Sequence, residues 1–508
     1  MPSIPAPKLV LALLLASGTT LAAGAALAQK PAALPPPGAA QGGKPPALGA
    51  TPLPVVPAPV APAPLAPMPP AARAPAPVGP VARDQAPLPP PPADEDPAIR
   101  RLRATFGANV QMAYQSANVL DSGTGRFQLN GVTLRRPDGD ATIETLVVEG
   151  QREDGVQSAE LRNLVTAERN GTRVTIARAQ ITGLTIRRPT APGQTIAPDG
   201  VSIDRFTLEG LRVEGEPTVT VASLTLEDYG PGRPTRLQLE RLAGERIGPS
   251  LNGFGLARLA LSGIDVATIW TRLISGGRPE PLPGRFEATA ENFTFTEGGR
   301  ETAGADSLRI ESETDQQLAG TGRAALRGVR LDGIPQLHAF LTQLGYQSLT
   351  GEITMEAGYQ PQTGRMTMPS FVISAPGFGS VTLSMDLDGL DRNAPPEQMA
   401  SRIRLLGMAL RYRDEGLLPR ALRMQATQQR VDEAQLREQI VSMAGAMLSG
   451  QAAVVLREPV ERFVRGQAQE LEISARPPQP IPLMSLSAQP PRNADDAQRR
   501  FGLTATAR

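Results

Sequence analysis

The side chains that most often carry enzyme chemistry are nearly absent from this chain. It contains no cysteine and a single histidine, His338. Thiol nucleophiles, disulfides, iron–sulfur clusters and cysteine zinc sites are therefore excluded, as are metal sites and proton relays that need two histidines. His338 falls on a predicted helix with no suitable partner nearby, so we interpret it as a structural or exposed residue. We expect no catalytic residue, no metal site and no cofactor.

Two patterns imitate functional motifs but lack a necessary residue. Residues 38–44 match the first seven positions of a phosphate-binding loop, but the eighth, which needs Ser or Thr for magnesium, is Pro45. Asp386 and Asp388 resemble the start of a calcium loop, but Gly389 comes at the fourth position instead of the sixth. No pair among the 50 acidic residues stands out for glycosidase chemistry. We therefore expect that the protein is not an enzyme.

The charge balance excludes one further class of partner. The formal net charge is +1 with 20% charged residues, so the chain has no excess of basic residues to neutralise phosphates. Aromatic residues make up only 4% of the chain, which leaves few side chains for stacking on bases. We expect no nucleic-acid partner.

The first 28 residues have the pattern of a secretory signal peptide. Lys8 supplies positive charge, an apolar run follows from residue 9 to residue 14, and small residues lead to a cleavage motif at residues 26–28. Cleavage is expected between Ala28 and Gln29, and the mature protein is expected in the periplasm. The alternative is an uncleaved inner-membrane anchor, because residues 9–28 have about the length of ~20 residues that a membrane span requires.

Residues 29–95 are dominated by proline and alanine. Proline fixes φ and has no backbone donor, so this segment cannot join a sheet or continue as a helix. We expect a disordered stalk with polyproline II character, which at ~3.1 Å per residue could extend to on the order of 200 Å. Folded structure is predicted to begin near Asp96 and Pro97, with a short amphipathic helix that includes Ile99 and Leu102.

A glycine-centred unit organises residues 96–410, which we interpret as a strand-repeat domain. The unit is apolar, any residue, Gly, apolar, any residue, apolar, and most of the surrounding sequence alternates with period two, as strands do. Glycine within a strand often marks a bulge, and here it coincides with a shift in the apolar alternation. The glycines of the six units are Gly131, Gly183, Gly210, Gly263, Gly328 and Gly407.

These patterns predict a mainly β fold with accessory helices, in which an elongated, twisted, repeat-like antiparallel sheet has one apolar face and is gutter-shaped. Short helices are predicted near 266–275 and 335–345, and a helical block near 416–465. In that block, Asp432 and Gln435 form a capping box, an apolar stripe ends at Gly450, and Pro459 breaks or kinks a second helix. Residues 411–508 are interpreted as a C-terminal unit that contains this block and the closing strands.

The recurring units behind a signal sequence resemble those of AsmA-like bacterial envelope proteins. Residues 349–359, with Gly364, Met366, Leu383 and Leu387, are similar to the YdgA-type domain of that group, as are residues 412–418 and the helices after them. The long stalk and the absence of a firm transmembrane anchor differ from the usual pattern of the group.

The resemblance implies a curved sheet whose apolar concave face shelters lipid acyl chains in envelope maintenance, with no catalytic residues. Phospholipid or a membrane surface would then be the partner, and burial of acyl chains at ~0.8 kcal/mol per methylene would drive binding. The alternative is a non-catalytic structural or interaction scaffold, presented on the stalk to another envelope protein.

Overall fold

The computed structural model describes most of the chain after residue 87. The described residues are 88–105, 110–136, 139–152, 154–168, 171–187, 197–246, 252–275, 283–331, 333–391, 394, 396–448 and 450–508. Those from Pro89 onward belong to one compact unit. The predicted signal peptide, its cleavage between Ala28 and Gln29, the loop that ends at Lys44 and the stalk through residue 87 lie outside the described residues.

In the described part of the chain, twenty antiparallel strands form one sheet, so the predicted mainly β class with accessory helices and a long open sheet is confirmed. The strands are β1 (Gln111–Ala113), β2 (Ser116–Asp121), β3 (Arg126–Arg136), β4 (Gly139–Gln151), β5 (Gly155–Glu168), β6 (Arg173–Ile186), β7 (Val201–Glu214), β8 (Thr218–Tyr229), β9 (Thr235–Glu245), β10 (Gly253–Ile264), β11 (Gly284–Glu297), β12 (Arg300–Thr314), β13 (Gly320–Arg330), β14 (Thr350–Gln360), β15 (Arg365–Ala375), β16 (Gly379–Asp388), β17 (Arg404–Asp414), β18 (Glu470–Ala475), β19 (Ile481–Pro482) and β20 (Leu503–Ala507).

The strands follow one another as a meander. Each strand from β3 to β17 pairs with the next one along the chain. At the first edge of the sheet, β1 and β2 both pair with β3. At the last edge, β18 and β19 both pair with β17, and β20 pairs with β18. Because period-two segments along the chain become spatial neighbours, the repeat in the sequence becomes a repeat across the sheet.

One helix precedes the first strand, and the others lie between or after strands, at places where the period-two pattern stops. They are α1 (Pro97–Thr105), α2 (Val266–Ile274), α3 (Pro335–Gln343), α4 (Pro396–Arg402), α5 (Leu417–Gln429), α6 (Glu433–Met447), α7 (Gly450–Val464), α8 (Leu483–Ala488) and α9 (Ala494–Phe501). The Asp96 carboxylate accepts the Ala98 N–H at 2.7 Å, and the Asp432 carboxylate accepts the Ala434 N–H at 2.9 Å, so both aspartates cap their helices. The bond from Asp432 goes to Ala434 instead of Gln435, the partner in the predicted capping box.

The predicted helical block needs two corrections. Helix α6 ends at Met447, and Gly450 is the first residue of α7, where its φ of 57° makes the turn between the two helices. Pro459 lies inside α7, which continues to Val464. The helices α4, α8 and α9 were not predicted, because they are short and their apolar residues do not repeat over enough turns to give a pattern.

Two apolar rows cross the sheet from β3 to β18 and continue on β20, one residue from each strand. Row 1 consists of Leu129, Leu146, Leu161, Ala179, Leu208, Leu224, Leu239, Leu259, Ala290, Leu308, Leu326, Ile353, Ile373, Val381, Tyr412, Leu471 and Ala507. Row 2 consists of Phe127, Val148, Ala159, Ile181, Phe206, Leu226, Leu237, Leu261, Ala288, Ile310, Ala324, Met355, Phe371, Leu383, Leu410, Ile473 and Ala505.

Beside row 1, a line of left-handed residues crosses the sheet on alternate strands. The strand pairs on either side of these residues show that they lie in register across the sheet. We call this line the seam, and its members, one each from β3, β5, β7, β9, β11 and β13, are Gly131, Asn163, Gly210, Arg241, Asn292 and Gly328. Each has a φ between 49° and 64°. The alternation of buried and exposed side chains shifts by one residue at the seam. In β3 the odd-numbered Phe127 and Leu129 are buried before Gly131, and the even-numbered Val132 is buried after it. The seam therefore keeps apolar side chains on one face along the whole length of each strand.

The six predicted repeat glycines do not all have the same role. Gly131, Gly210 and Gly328 lie in the seam, whereas Gly183 and Gly263 are left-handed elsewhere, with φ values of 65° and 86°. At Gly263 the β9–β10 register shifts, and a Cβ atom would lie 1.8 Å from the Arg285 carbonyl oxygen. Gly407 does not have the left-handed conformation. In β17 the register shift occurs instead at Leu406. Gly407 pairs with Asp386 and Leu405 pairs with Leu387, which leaves Leu406 without a partner in β16.

Candidate functional site

The polar residues singled out in the sequence do not form a site. His338 lies exposed on α3. Asp388 accepts two hydrogen bonds from Arg404, at 2.8 and 2.9 Å, and Asp386 lies 3.8 Å from Arg365. Within the described ranges, no group of three His, Asp or Glu side chains could hold a metal ion. Hence the surface with the most unusual chemistry is the apolar face of the sheet.

That face is covered over most of the first half of the sheet, with Val119 of β2 and Phe295 of β11 as exceptions that expose 45% and 39% of their surfaces. In row 1, Leu129 of β3 and Leu239 of β9 expose 0% and 1% of their surfaces. Around Leu239, side chains from β6 to β11 pack together as one cluster that spans both sides of the seam, and both Leu208 and Leu211 belong to it. A second cluster joins β3 and β4 to α1, whose Ile99 is buried. The apolar side chains of these strands therefore pack against protein.

The other end of the same face is covered by α7. This helix packs along β20 and β18. The Phe463 ring of α7 meets the edge of the Tyr412 ring in row 1, with the ring centroids 5.8 Å apart and the planes at 76°. Such an edge-to-face arrangement is favourable for aromatic pairs. Phe463 is buried, so α7 covers the face at Tyr412 of β17 and over β18 and β20.

Between these covered regions the apolar face is open to solvent over β15–β17. Ile373 and Val381 of row 1 expose 46% and 38% of their surfaces, and Leu410 of row 2 exposes 44%. Met408, two residues before Leu410, exposes 39%. We call these four residues the window. Ile373 pairs with Val381, Leu410 lies diagonally across from Val381, and Met408 is the next residue of β17 on the same face, so their exposed surfaces are contiguous.

Apolar contacts close one border of the window. Leu387, Ile403 and Leu405 are buried there, and partly buried methionines and leucines pack on them, among them Met399 of α4 and Leu483 of α8. The two short helices thus cover the ends of β16 and β17 and leave the middle of these strands uncovered.

A stacked aromatic corner closes the opposite border. The Tyr346 and Phe378 rings stack with centroids 3.8 Å apart, and the Arg420 guanidinium lies 4.1 Å from the Tyr346 centroid. Tyr412 donates a hydrogen bond to the Asp414 carboxylate at 2.8 Å. Burial, together with this hydrogen bond, raises the pKa of the Tyr412 phenol. The phenol therefore stays neutral and this border keeps its hydrogen bonds throughout the physiological pH range.

Polar side chains on these strands belong to the opposite face. Thr382 of β16 pairs with Arg411 of β17, which forms an ion pair with Glu472 of β18 at 2.8 Å. The four window residues carry no charge and no hydrogen-bond donor on their side chains. Any ligand of the window is therefore held by burial of apolar surface, without a polar group to fix its orientation.

A separate groove of about 540 Å³ crosses the polar face along the seam. Its lining includes the small residues Ala222 and Ala257 and the seam residues Arg241 and Asn292. It is shallow, and it has no cluster of buried polar groups to recognise a ligand. We therefore place the candidate site at the window.

A family model described as "Uncharacterized protein" matches residues 372–508. The matched segment begins in β15 and contains the window from Ile373 onward, together with the helices α4 to α9. No curated protein matches the chain. The sequence predicted an apolar sheet face but did not predict the window, because exposure depends on which strands the distant helices cover.

Proposed function

We propose that the protein is an exported, non-catalytic envelope protein whose open sheet face shelters lipid acyl chains. The observation that carries the proposal is the window, in which Ile373, Val381, Met408 and Leu410 are each exposed by more than a third. Exposed apolar surface of this kind, contiguous and without charge, is typical of a site that binds another apolar group. The resemblance to AsmA-like proteins agrees with this function, and the pattern of residues 1–28 supports export.

The composition of the window favours an acyl chain over a protein partner. Binding hot spots between proteins are enriched in Trp, Tyr and Arg, which cluster near the centre of the interface. The window instead presents aliphatic and methionine side chains, and methionine adapts to irregular apolar surfaces. An acyl chain has no polar group to satisfy and needs only such a surface.

The energy available at the window is moderate. Full burial of an aliphatic side chain contributes about 1.5–3 kcal/mol, so covering four side chains that are less than half exposed contributes about 3 kcal/mol from the protein side. The methylenes of the ligand add their own burial, at about 0.8 kcal/mol each. Binding of this strength is reversible, which suits a protein that receives and releases lipid.

Extraction of the purified full chain with organic solvent, followed by mass spectrometry, tests the proposal. We expect phospholipid or fatty acid at a substantial fraction of the protein concentration after purification without detergent. A well-folded protein that is free of lipid, and that does not take up a fluorescent fatty acid when it is offered, would contradict the proposal.

A further inference from the structure

The tip of the hairpin formed by α6 and α7 is the second unusual apolar surface of the protein. Residues 441–456 contain no charged residue, whereas 20% of the whole chain is charged, so about three would be expected in a segment of this length. We call this segment the hairpin tip. Among the described residues, no helix is long and apolar enough to cross a membrane.

Two apolar side chains of the hairpin tip project into solvent. Val454 exposes 83% of its surface, the largest fraction among the large apolar side chains of the described residues, and Met443 exposes 57%. At 1.5 Å per residue, Met443 lies about 8 Å along α6 from Leu448, and Val454 lies about 6 Å along α7 from Gly450. Both distances fall within the about 5–10 Å that an interfacial helix penetrates into a bilayer.

The hairpin tip is held in place by buried contacts on its inner side. Val441, Ala452 and Leu456 expose 5%, 0% and 8% of their surfaces. The Ala452 N–H donates a hydrogen bond to the Asp495 carboxylate of α9 at 3.0 Å. The exposed side chains are therefore presented by a fixed support, and their exposure does not result from a loose end.

The charges that border the hairpin tip are already paired with one another. Arg457 forms an ion pair with Glu461 at 2.7 Å, and Arg437 with Glu433 at 2.8 Å. The carboxylate nearest the turn, that of Asp495, adds negative charge. The two arginines that flank the tip on α6 and α7 are therefore engaged with carboxylates and do not form the kind of Lys and Arg cluster that normally binds anionic headgroups. The chemistry of the tip fits the apolar boundary of a zwitterionic bilayer.

We propose that the hairpin tip inserts into the interface of a zwitterionic lipid bilayer. Helix α7 connects this contact to the window, because Phe463, nine residues after Val454 and so about 14 Å along the helix, packs on Tyr412 at the window's border. One leaflet of a bilayer contributes about 15 Å of hydrocarbon, so the two sites are about one acyl chain apart. That the tip brings the window to its source of lipid rests on the proposed function; membrane insertion does not.

Site-specific fluorescence tests the insertion. Because the chain has no cysteine, Val454→Cys can be labelled at one position with an environment-sensitive dye in the full chain. Phosphatidylcholine vesicles should shift its emission to the blue and increase it about two-fold or more, as for a residue that enters the acyl boundary. The same dye at Gln428→Cys, exposed on α5, is the matched control and should respond little. Equal responses at both positions, or no response at Val454→Cys, would overturn the proposal.

Charge substitution and salt supply the second readout. The double variant Met443→Asp and Val454→Asp should bind phosphatidylcholine vesicles about tenfold more weakly, whereas Gln425→Asp with Gln428→Asp on α5 should bind like the native chain. Binding should not depend on salt, and a requirement for anionic lipid would contradict the assignment. Val381→Asp in the window should leave the vesicle response intact. For the native chain, an absence of fatty-acid binding with vesicle binding present would count against the window alone, and the reverse against the tip alone.

Discussion

Replacement of Leu239 by alanine should lower the free energy of unfolding by about 3 kcal/mol, because truncation of a fully buried leucine removes its burial and leaves a cavity. Leu239 exposes 1% of its surface and lies in row 1 between Leu224 and Leu259. Ile373 occupies the same row in β15 but exposes 46%. Ile373→Ala should therefore cost less, about 1 kcal/mol.

The midpoint of urea unfolding, followed by circular dichroism, compares the two variants directly. A much larger shift for Leu239→Ala than for Ile373→Ala would support the division of one continuous face into a covered part and an open part. Similar shifts for both variants would show that the window is covered in solution, and the proposed function would then lose its site.

The second large effect concerns ligand binding. Val381→Asp should weaken the binding of a fluorescent fatty acid by at least about tenfold, because the carboxylate would have to lose water beside the acyl chain. Val381 is 38% exposed, so the substituted side chain can remain hydrated in the free protein and the fold should tolerate it. Fluorescence titration of the purified chain, after removal of bound lipid, measures the effect.

The neighbouring residue provides the control for this variant. Thr382 follows Val381 on β16 and belongs to the polar face, where it pairs with Arg411. Thr382→Asp introduces the same charge at the adjacent position of β16, where the side chain lies on the opposite face of the sheet. Fatty-acid affinity should therefore stay within about two-fold of the native value. If both variants weaken binding equally, the fatty acid is not bound on the apolar face.

The local pattern of the sequence predicted the architecture well, because consecutive strands of a meander are neighbours in the sheet. The period-two segments became β3 to β17, and the phase shift at Gly131 was visible in the alternation of Leu129 and Val132. Asn163 and Asn292 could also have been found, since asparagine adopts the left-handed conformation more readily than most residues. Arg241 could not, because nothing in its side chain favours that backbone.

The candidate site could be predicted only in part, because the exposure of its residues depends on contacts between segments that are distant in sequence. Rows 1 and 2 are apolar in β9 and in β15 alike, so sequence pattern does not distinguish the covered Leu239 from the exposed Ile373. Side chains from β6 to β11 pack together around Leu239, whereas α4, α7 and α8 pack on other parts of the sheet and leave Ile373 uncovered. These helices lie far from β15 in sequence. Similarly, the sequence of the hairpin tip predicts an ordinary apolar stripe, and only the structure shows that Val454 is exposed to solvent.

Photocrosslinking with a fatty acid that carries a diazirine near its methyl end tests the central claim most directly. After irradiation of the full chain, mass spectrometry locates the modified residues. The account predicts adducts at the window, on Ile373, Val381, Met408 and Leu410, which an excess of unlabelled fatty acid suppresses. Suppressible adducts confined to the polar face, or no suppressible adducts at all, would contradict the claim that the open sheet face shelters acyl chains.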